Sequence, residues 1–386
     1  MATVNQIYDL VNTAASEAMG AKAITVKDTA SLVSLGNQIF STANDLDAFY
    51  SKLPDVIGRV WVKYMEVTRK DRDIQRTPLE WGIILERISI NKVAKAEENT
   101  SWNKNPDPYA PEKMEDHTDF LVNMISAIST FSINKVVYEN QLRTAFSSAT
   151  RFAAFVELIF TDMRNGMINA LNNTDRLCES TAIAQSLTHA GMVHINVLRL
   201  YNTLTNAGLT VDSARRDKDF ILWAMKKVKE TIVRAKELTE LYNIIGADRE
   251  LDEGEMVLHV LSDFASDMDV YANSDTFHKD LVELYGYKEV TSWQGIGTDA
   301  SFESVSTVNI QNGEININQS GVIAHLFSRD RMGTMIDHIR TKSDYIPTEE
   351  RTLYSHKADI GYFVVPDEIG IVFYMADDAN DHATYE

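Results

Sequence analysis

Pro106, Pro108 and Pro111 crowd one polar segment, NTSWNKNPDPYAPEKMEDHTD, which can form neither a regular helix nor a central strand and is predicted to be a loop. On its near side stands WGIILERISINKV (81–93), dense in isoleucine, and beyond it TFSINKVVY (130–138), rich in β-branched residues. Both are predicted as strands. A shorter helix-like piece, FLVNMISAI, leads from the loop to the second run. The pentapeptide SINKV occurs in both runs, at 89–93 and 132–136. In an extended chain it turns Ile and Lys to one face and Ser, Asn and Val to the other. The simplest arrangement is one long, half-exposed, hairpin-like arm in which both strands present an amphipathic face. A two-stranded ribbon is marginal in water, so the arm needs a partner surface.

The flanking stretch RKDRDIQR adds Arg69, Lys70, Arg72 and Arg76 to an otherwise acidic chain. They suit pairing with the acidic surface of another copy, and they equally suit a solvated turn. The candidate inter-subunit contacts are these four together with Lys92 and Lys135, the lysines of the two pentapeptides, and Arg329 and Arg331.

Fifty-six Asp and Glu against 37 Lys and Arg give a net charge of −19, which argues against a free-standing nucleic-acid binder with its basic footprint. An acidic chain can still surround a duplex that it does not grip. The single cysteine, Cys178, excludes an internal disulfide framework and is predicted to be a buried filler. No window reaches the apolar length of a membrane span, and the N-terminal stretch MATVNQIYDLVNTAASEAMG lacks the pattern of a secretory signal. A soluble protein made in a cytoplasm is expected, with no membrane partner.

Residues 1–58 show helical periodicity, with Val4, Ile7, Leu10 and Val11 on one face and Leu32, Leu35, Ile39 and Leu46 recurring, until Pro54 and Gly58 punctuate the pattern. Such a segment can pack as an arm or against a neighbour. The strongest helix runs from Thr150 to about Leu171 on a stripe of Phe152, Phe155, Val156, Ile159, Phe160, Met163, Met167 and Leu171. Residues 190–305 mix types. MVHINVLRLY is strand-like, and 215–242 is an amphipathic helix that buries Phe220, Ile221, Ala224, Val228, Ile232 and Ala235. Its other side carries the main basic concentration, interrupted by Asp217, Asp219, Glu230 and Glu237, which favours a solvated or subunit-facing role over a DNA contact. The last eighty or so residues return to strands: a hairpin turning at Asn312-Gly313, then GVIAHLF, MGTMIDHI, DIGYFVVP and EIGIVFYM.

The search for chemistry is short. Acids cluster in ADRELDEGE (247–255) and SDFASDMD (262–269) without calcium-loop or phosphoryl-transfer spacing, and are predicted as solvated loops and helix faces. GIGTDA, around Gly295 and Gly297, lacks the third glycine of a dinucleotide turn. His189, His194, His325 and His338 have no convincing partner ligand and are predicted to be neutral, hydrogen-bonded residues. No catalytic, cofactor or metal residue is assigned.

The order of parts resembles the major capsid protein of tailed double-stranded DNA phages, an α+β architecture with the Hong Kong 97-like fold. PLEWGIILERISINK and the long run from VIAHLFSRD to EIGIVFYM look especially like the capsid proteins of small short-tailed phages with protein-primed genomes. The resemblance implies an N-terminal helical arm (1–58), an extended β-loop (59–143), a peripheral domain with a spine helix (144–189), an axial domain (190–305) and returning peripheral strands (306–386). It implies self-assembly as pentamers and hexamers into an icosahedral shell around DNA, without sequence-specific binding and without enzymatic activity. A separate scaffolding protein, a portal partner and location in the virion, after assembly in the host cytoplasm, follow from the same resemblance. An encapsulin-type compartment and a soluble acidic enzyme built on the two acid clusters stand as alternatives.

Overall fold

The computed structural model describes residues 4–41, 48–49, 52, 73–75, 85–94, 120–125, 128–145, 149–273, 286–294, 299–313 and 315–384. The Pro-rich loop, Leu46, Pro54, Gly58, Gly295, Gly297 and the cations Arg69, Lys70, Arg72 and Arg76 lie outside them.

Two helices open the chain, α1 (Val4–Met19) and α2 (Thr29–Ser41). Their apolar residues recur at three- and four-residue steps, and the buried stripe includes Val11, Ala14 and Ala15 on α1 and Leu32, Leu35 and Ile39 on α2. The Asn12 side chain ties α1 to the connection that leads into α2 by exchanging two hydrogen bonds with the Val26 backbone, at 2.7 and 3.0 Å. Both helices pack onto their own subunit, in one core with Met163, Met167, Tyr354 and Ile360.

Strands β1 (Leu85–Ile90) and β2 (Phe120–Ile125) form an antiparallel pair, in which Ile88 opposes Val122 and Ile90 opposes Phe120. The helix-like expectation for FLVNMISAI is therefore corrected. Phe120 and Val122 are strand formers whose alternation matches that of β1, and pairing outweighs a weak local preference. The shared-arm reading of the two pentapeptides is corrected as well. The second SINKV lies in β3 (Ile128–Tyr138), which pairs antiparallel with a distant strand, Arg351–Val364, along its whole length. The two copies also face opposite ways: Ile133 packs into a core while Ser132 is exposed, whereas Ile90 is exposed while Ser89 turns inward. One word serves two jobs because the strand period of two lets a neighbour choose the buried face.

After the short α3 (Glu139–Ala145) comes α4 (Ala149–Thr188), a single helix of 40 residues. At 1.5 Å per residue it spans about 60 Å, twice the length expected from its apolar stripe. The stripe fades after Leu171 because the second half buries polar groups that have assigned partners. Asp175 accepts from Thr334 Oγ1 at 2.6 Å, and Ser180 Oγ donates to the Trp293 carbonyl at 3.1 Å. Gly166 lets β3 approach, since a Cβ there would stand 3.0 Å from the Ile133 side chain.

The chain then continues through β4 (His194–Asn196), α5 (Val197–Thr205), α6 (Val211–Ala214), α7 (Lys218–Ala235), β5 (Met256–Leu261), α8 (Ser262–Asn273), β6 (Tyr287–Val290), α9 (Phe302–Ser306), β7 (Val308–Gln311), β8 (Asn316–Gln319), β9 (Val322–Ser328), β10 (Met332–Ile346), β11 (Arg351–Val364) and β12 (Gly370–Tyr374). MVHINVLRLY, expected to be extended, is a strand only at its start. Asn196 accepts from the Arg199 backbone and so caps α5. The amphipathic stretch forms α7 with the expected apolar face, its start capped by Asp217.

A five-stranded mixed sheet, in order β4-β12-β9-β5-β6, holds the main core together with the end of α4 and with α7 and α8. Strands β10, β11 and β3 form a second sheet under the first half of α4. β7 and β8 make the expected hairpin, its turn held by Asn312 and by Gly313 at φ 90°. The architecture is α+β, with α4 running through both cores. Among the described residues no helix is long and apolar enough to cross a membrane.

Candidate inter-subunit surface

The β1–β2 hairpin has two unlike faces. Outward point Ile88, Ile90, Phe120 and Val122, which keep 63%, 51%, 59% and 50% of their surface exposed, although every one is a large apolar residue. Their register makes them two directly opposed cross-strand pairs and hence one contiguous apolar face.

The inner face, which also holds half-buried Leu121, presents polar side chains that converge on the turn VVPDEIG ahead of β12. Asp367, fully buried, accepts through Oδ2 from Arg87 Nη1 at 2.8 Å, Ser89 Oγ at 2.8 Å and Arg249 Nη2 at 2.6 Å, and through Oδ1 from Asn123 Nδ2 at 3.1 Å. Glu368 accepts from Arg87 Nη2 and lies 3.4 Å from Arg249 Nε. Burial alone would push the Asp367 carboxyl up; hydrogen bonds from Ser89, Arg249 and Arg87 outweigh it and hold the group below the usual carboxylate range. Arg249 also donates to the Ile90 carbonyl at 2.6 Å, joining the end of β1 to the loop after α7. Asp248 continues this seam by accepting from the Val93 backbone at 2.9 Å and from Lys92 Nζ at 3.2 Å.

Beneath the turn lies Arg331, wholly buried. It donates to the Glu368 carbonyl at 2.7 Å and to Ser186 Oγ on α4 at 2.8 Å. Burial lowers its guanidinium to about 10 in spite of Glu368 and Asp367 nearby. A second buried polar group, Glu179 with His259 and His325, sits between α4 and the five-stranded sheet.

The expected contacts fall out as follows. Arg331 is engaged inside its own subunit, because its side chain is fully enclosed, so its placement as a neighbour contact is corrected. Lys92 pairs with Glu240 and Asp248, Lys135 with Asp162 on α4, and Arg329 lies 3.9 Å from Asp73. The acid clusters are used structurally: Asp248 receives the hairpin end, Glu253 lies 3.4 Å from Lys236, and Asp267 accepts from Arg215 at 2.8 Å. Among the described residues no group of His, Cys, Asp and Glu is arranged to hold a metal. Sequence reasoning missed Asp367, Arg87, Arg249 and Asn123. The adjacent acids of Asp367 and Glu368, set between two apolar strands, were the available signal.

Among solved structures the chain is similar to the capsid of the cyanophage P-SCSP1u, at 10% identity and a TM-score of 0.50, covering 81% of this chain and 90% of that one. It is also similar to the capsid of Staphylococcus phage Andhra, at 10% identity and a TM-score of 0.48, over 80% of this chain and 84% of that one. No curated protein matches. The likeness to the cyanophage subunit is one of fold, the Hong Kong 97-like fold of phage capsids. The class so defined is the major capsid protein of tailed phages, a structural component that forms the shell of the virion. The chain belongs to the Phi29-like phage major capsid protein family, which matches it over residues 9–374. That placement sets aside the cargo compartment and the acidic enzyme.

Proposed function

We propose that the β1–β2 hairpin belongs to the extended loop of the shell subunit and that its outer face is covered by a neighbouring copy. The observation that carries this reading is the opposed pairs Ile88/Val122 and Ile90/Phe120, exposed on a ribbon too small to be stable by itself. Covering four such side chains removes apolar surface worth about 1–2 kcal/mol each, a modest gain that many equivalent contacts in a closed shell multiply. Helix α4 serves as the spine, the β10-β11-β3 sheet as the peripheral domain, and the five-stranded sheet with α7 and α8 as the axial domain around five-fold and six-fold positions. Lys92, Lys135 and Arg329, each still partly exposed, supply polar contacts at the margins.

In this reading the subunit assembles as pentamers and hexamers, with a separate scaffolding protein and a portal, around double-stranded DNA. The net charge of −19 supports an inner wall that does not hold phosphate, since each basic contact would add salt-dependent grip. The test is assembly of the Ile88→Lys/Val122→Glu double variant, which makes the face polar while its opposed charges keep the strands paired, with its scaffold, followed by electron microscopy and sedimentation. Loss of shells with unchanged unfolding of the subunit is the expected result; wild-type shell yield refutes the role of this face.

A further inference from the structure

Among the described residues, the contacts that fasten the hairpin to its own subunit are chiefly polar, with half-buried Leu121 beside them on the inner face. Ile88, Ile90, Phe120 and Val122 point outward, and the inner face offers Arg87, Ser89 and Asn123. At the centre of its attachment one enclosed carboxylate gathers donors from both strands of the hairpin and from Arg249 on the axial side, with Glu368 beside it. Arg331 braces the same turn from below and ties it to Ser186, near the end of α4.

We propose that the Asp367–Glu368 turn is a charge latch that fixes the β1–β2 hairpin against its own subunit before any neighbour arrives, so that the apolar face is presented in one orientation. This rests on the reading of that face as the inter-subunit surface. Three features support it. The donors are directional and arrive from separate elements, so they set an angle as well as an attachment. Arg249 bonds Asp367 and the Ile90 carbonyl at once, which spans the seam between hairpin and axial loop. The Asp248 carboxylate and backbone repeat the attachment at the hairpin end, where the Asp248 N–H donates to the Asn91 carbonyl at 2.9 Å. A pre-set hairpin spares assembly the ordering cost that a loose one would carry into every contact.

The test is hydrogen exchange on the unassembled full-length subunit, paired with assembly kinetics. Asp367→Asn keeps the shape of the side chain but removes the charge shared by Arg87 and Arg249. Amide exchange in residues 85–90 and 120–125 is expected to rise tenfold or more while β12 remains protected, and shell formation is expected to need a several-fold higher subunit concentration. Ser89→Ala, which deletes one neutral donor, is expected to give a smaller rise in the same segments and serves if the first variant fails to fold. Unchanged exchange at the hairpin in both variants overturns the latch, as does a released hairpin that assembles at the wild-type concentration. The Ile88→Lys/Val122→Glu variant, whose opposed charges keep the strands paired, separates the two ideas: it is expected to keep hairpin protection and lose assembly, and if it assembles normally the interface reading fails whatever the latch does.

Discussion

Glu179 on α4 and His259 on β5 share a 2.5 Å contact in which neither side chain reaches solvent. A carboxylate only accepts, so the imidazole Nδ1 donates. His325 stands 3.7 Å from the same carboxylate, its ring stacked on Phe327.

Burial pushes His325 down to about 4, against the pull of Glu179. The unfolded chain therefore takes up this proton first as pH falls below the ordinary histidine value, and stability drops from near pH 6.5 until it levels off near pH 4. A gap of this size corresponds to roughly 3 kcal/mol for one histidine. His356, which burial also lowers to about 4, adds in the same direction. Urea unfolding of the subunit at pH 7, 5.5 and 4.5, compared with His325→Gln, is expected to show a shallower pH dependence in the variant; parallel curves contradict the assignment.

Gly321 takes φ 79°, and a Cβ there would come within 2.0 Å of the Met375 carbonyl oxygen. Backbone cannot move aside as a side-chain tip can. Gly321→Ala is expected to cost about 3 kcal/mol or more, or to block folding, as read by thermal unfolding and soluble yield.

Thr334 Oγ1 donates to buried Asp175 at 2.6 Å, fastening β10 to the middle of α4. Thr334→Val preserves volume and deletes the donor. A loss of about 1.5–3 kcal/mol is expected in chemical denaturation, with Thr334→Ser recovering most of it.

The two pentapeptides offer an internal comparison. Ile133→Ala removes side-chain contact with the core between α4 and β3 and is expected to destabilise the subunit by about 2 kcal/mol. Ile90→Ala, at an exposed position, is expected to change subunit stability by less than about 0.5 kcal/mol and to weaken shell formation instead. Equal losses of stability would show that both strands are buried alike.

Periodicity located the elements whose partners lie close in sequence or whose faces are uniform. Helix α7 and the Asn312-Gly313 hairpin were legible for that reason. The length of α4 was hidden because Thr174, Asp175, Glu179 and Ser180 occupy interior positions with polar side chains, and only their distant partners justify burying them. Pairing of the second SINKV with Arg351–Val364 was equally hidden, since strand partners separated by two hundred or so residues leave no local trace. The strand character of β1 was visible in the sequence while β2 read as helix-like, and which face of the pair would be left uncovered depended on Asp367, far along the chain.

Because one unbroken helix carries Met163 and Met167 in one core and Ile183 and Leu187 in the other, the two lobes share a common strut. A load on either lobe would be passed to the other along a rod of hydrogen-bonded turns, with no break in the helix between the two cores. A subunit built this way strains as a unit, and relief of that strain has to come at its margins.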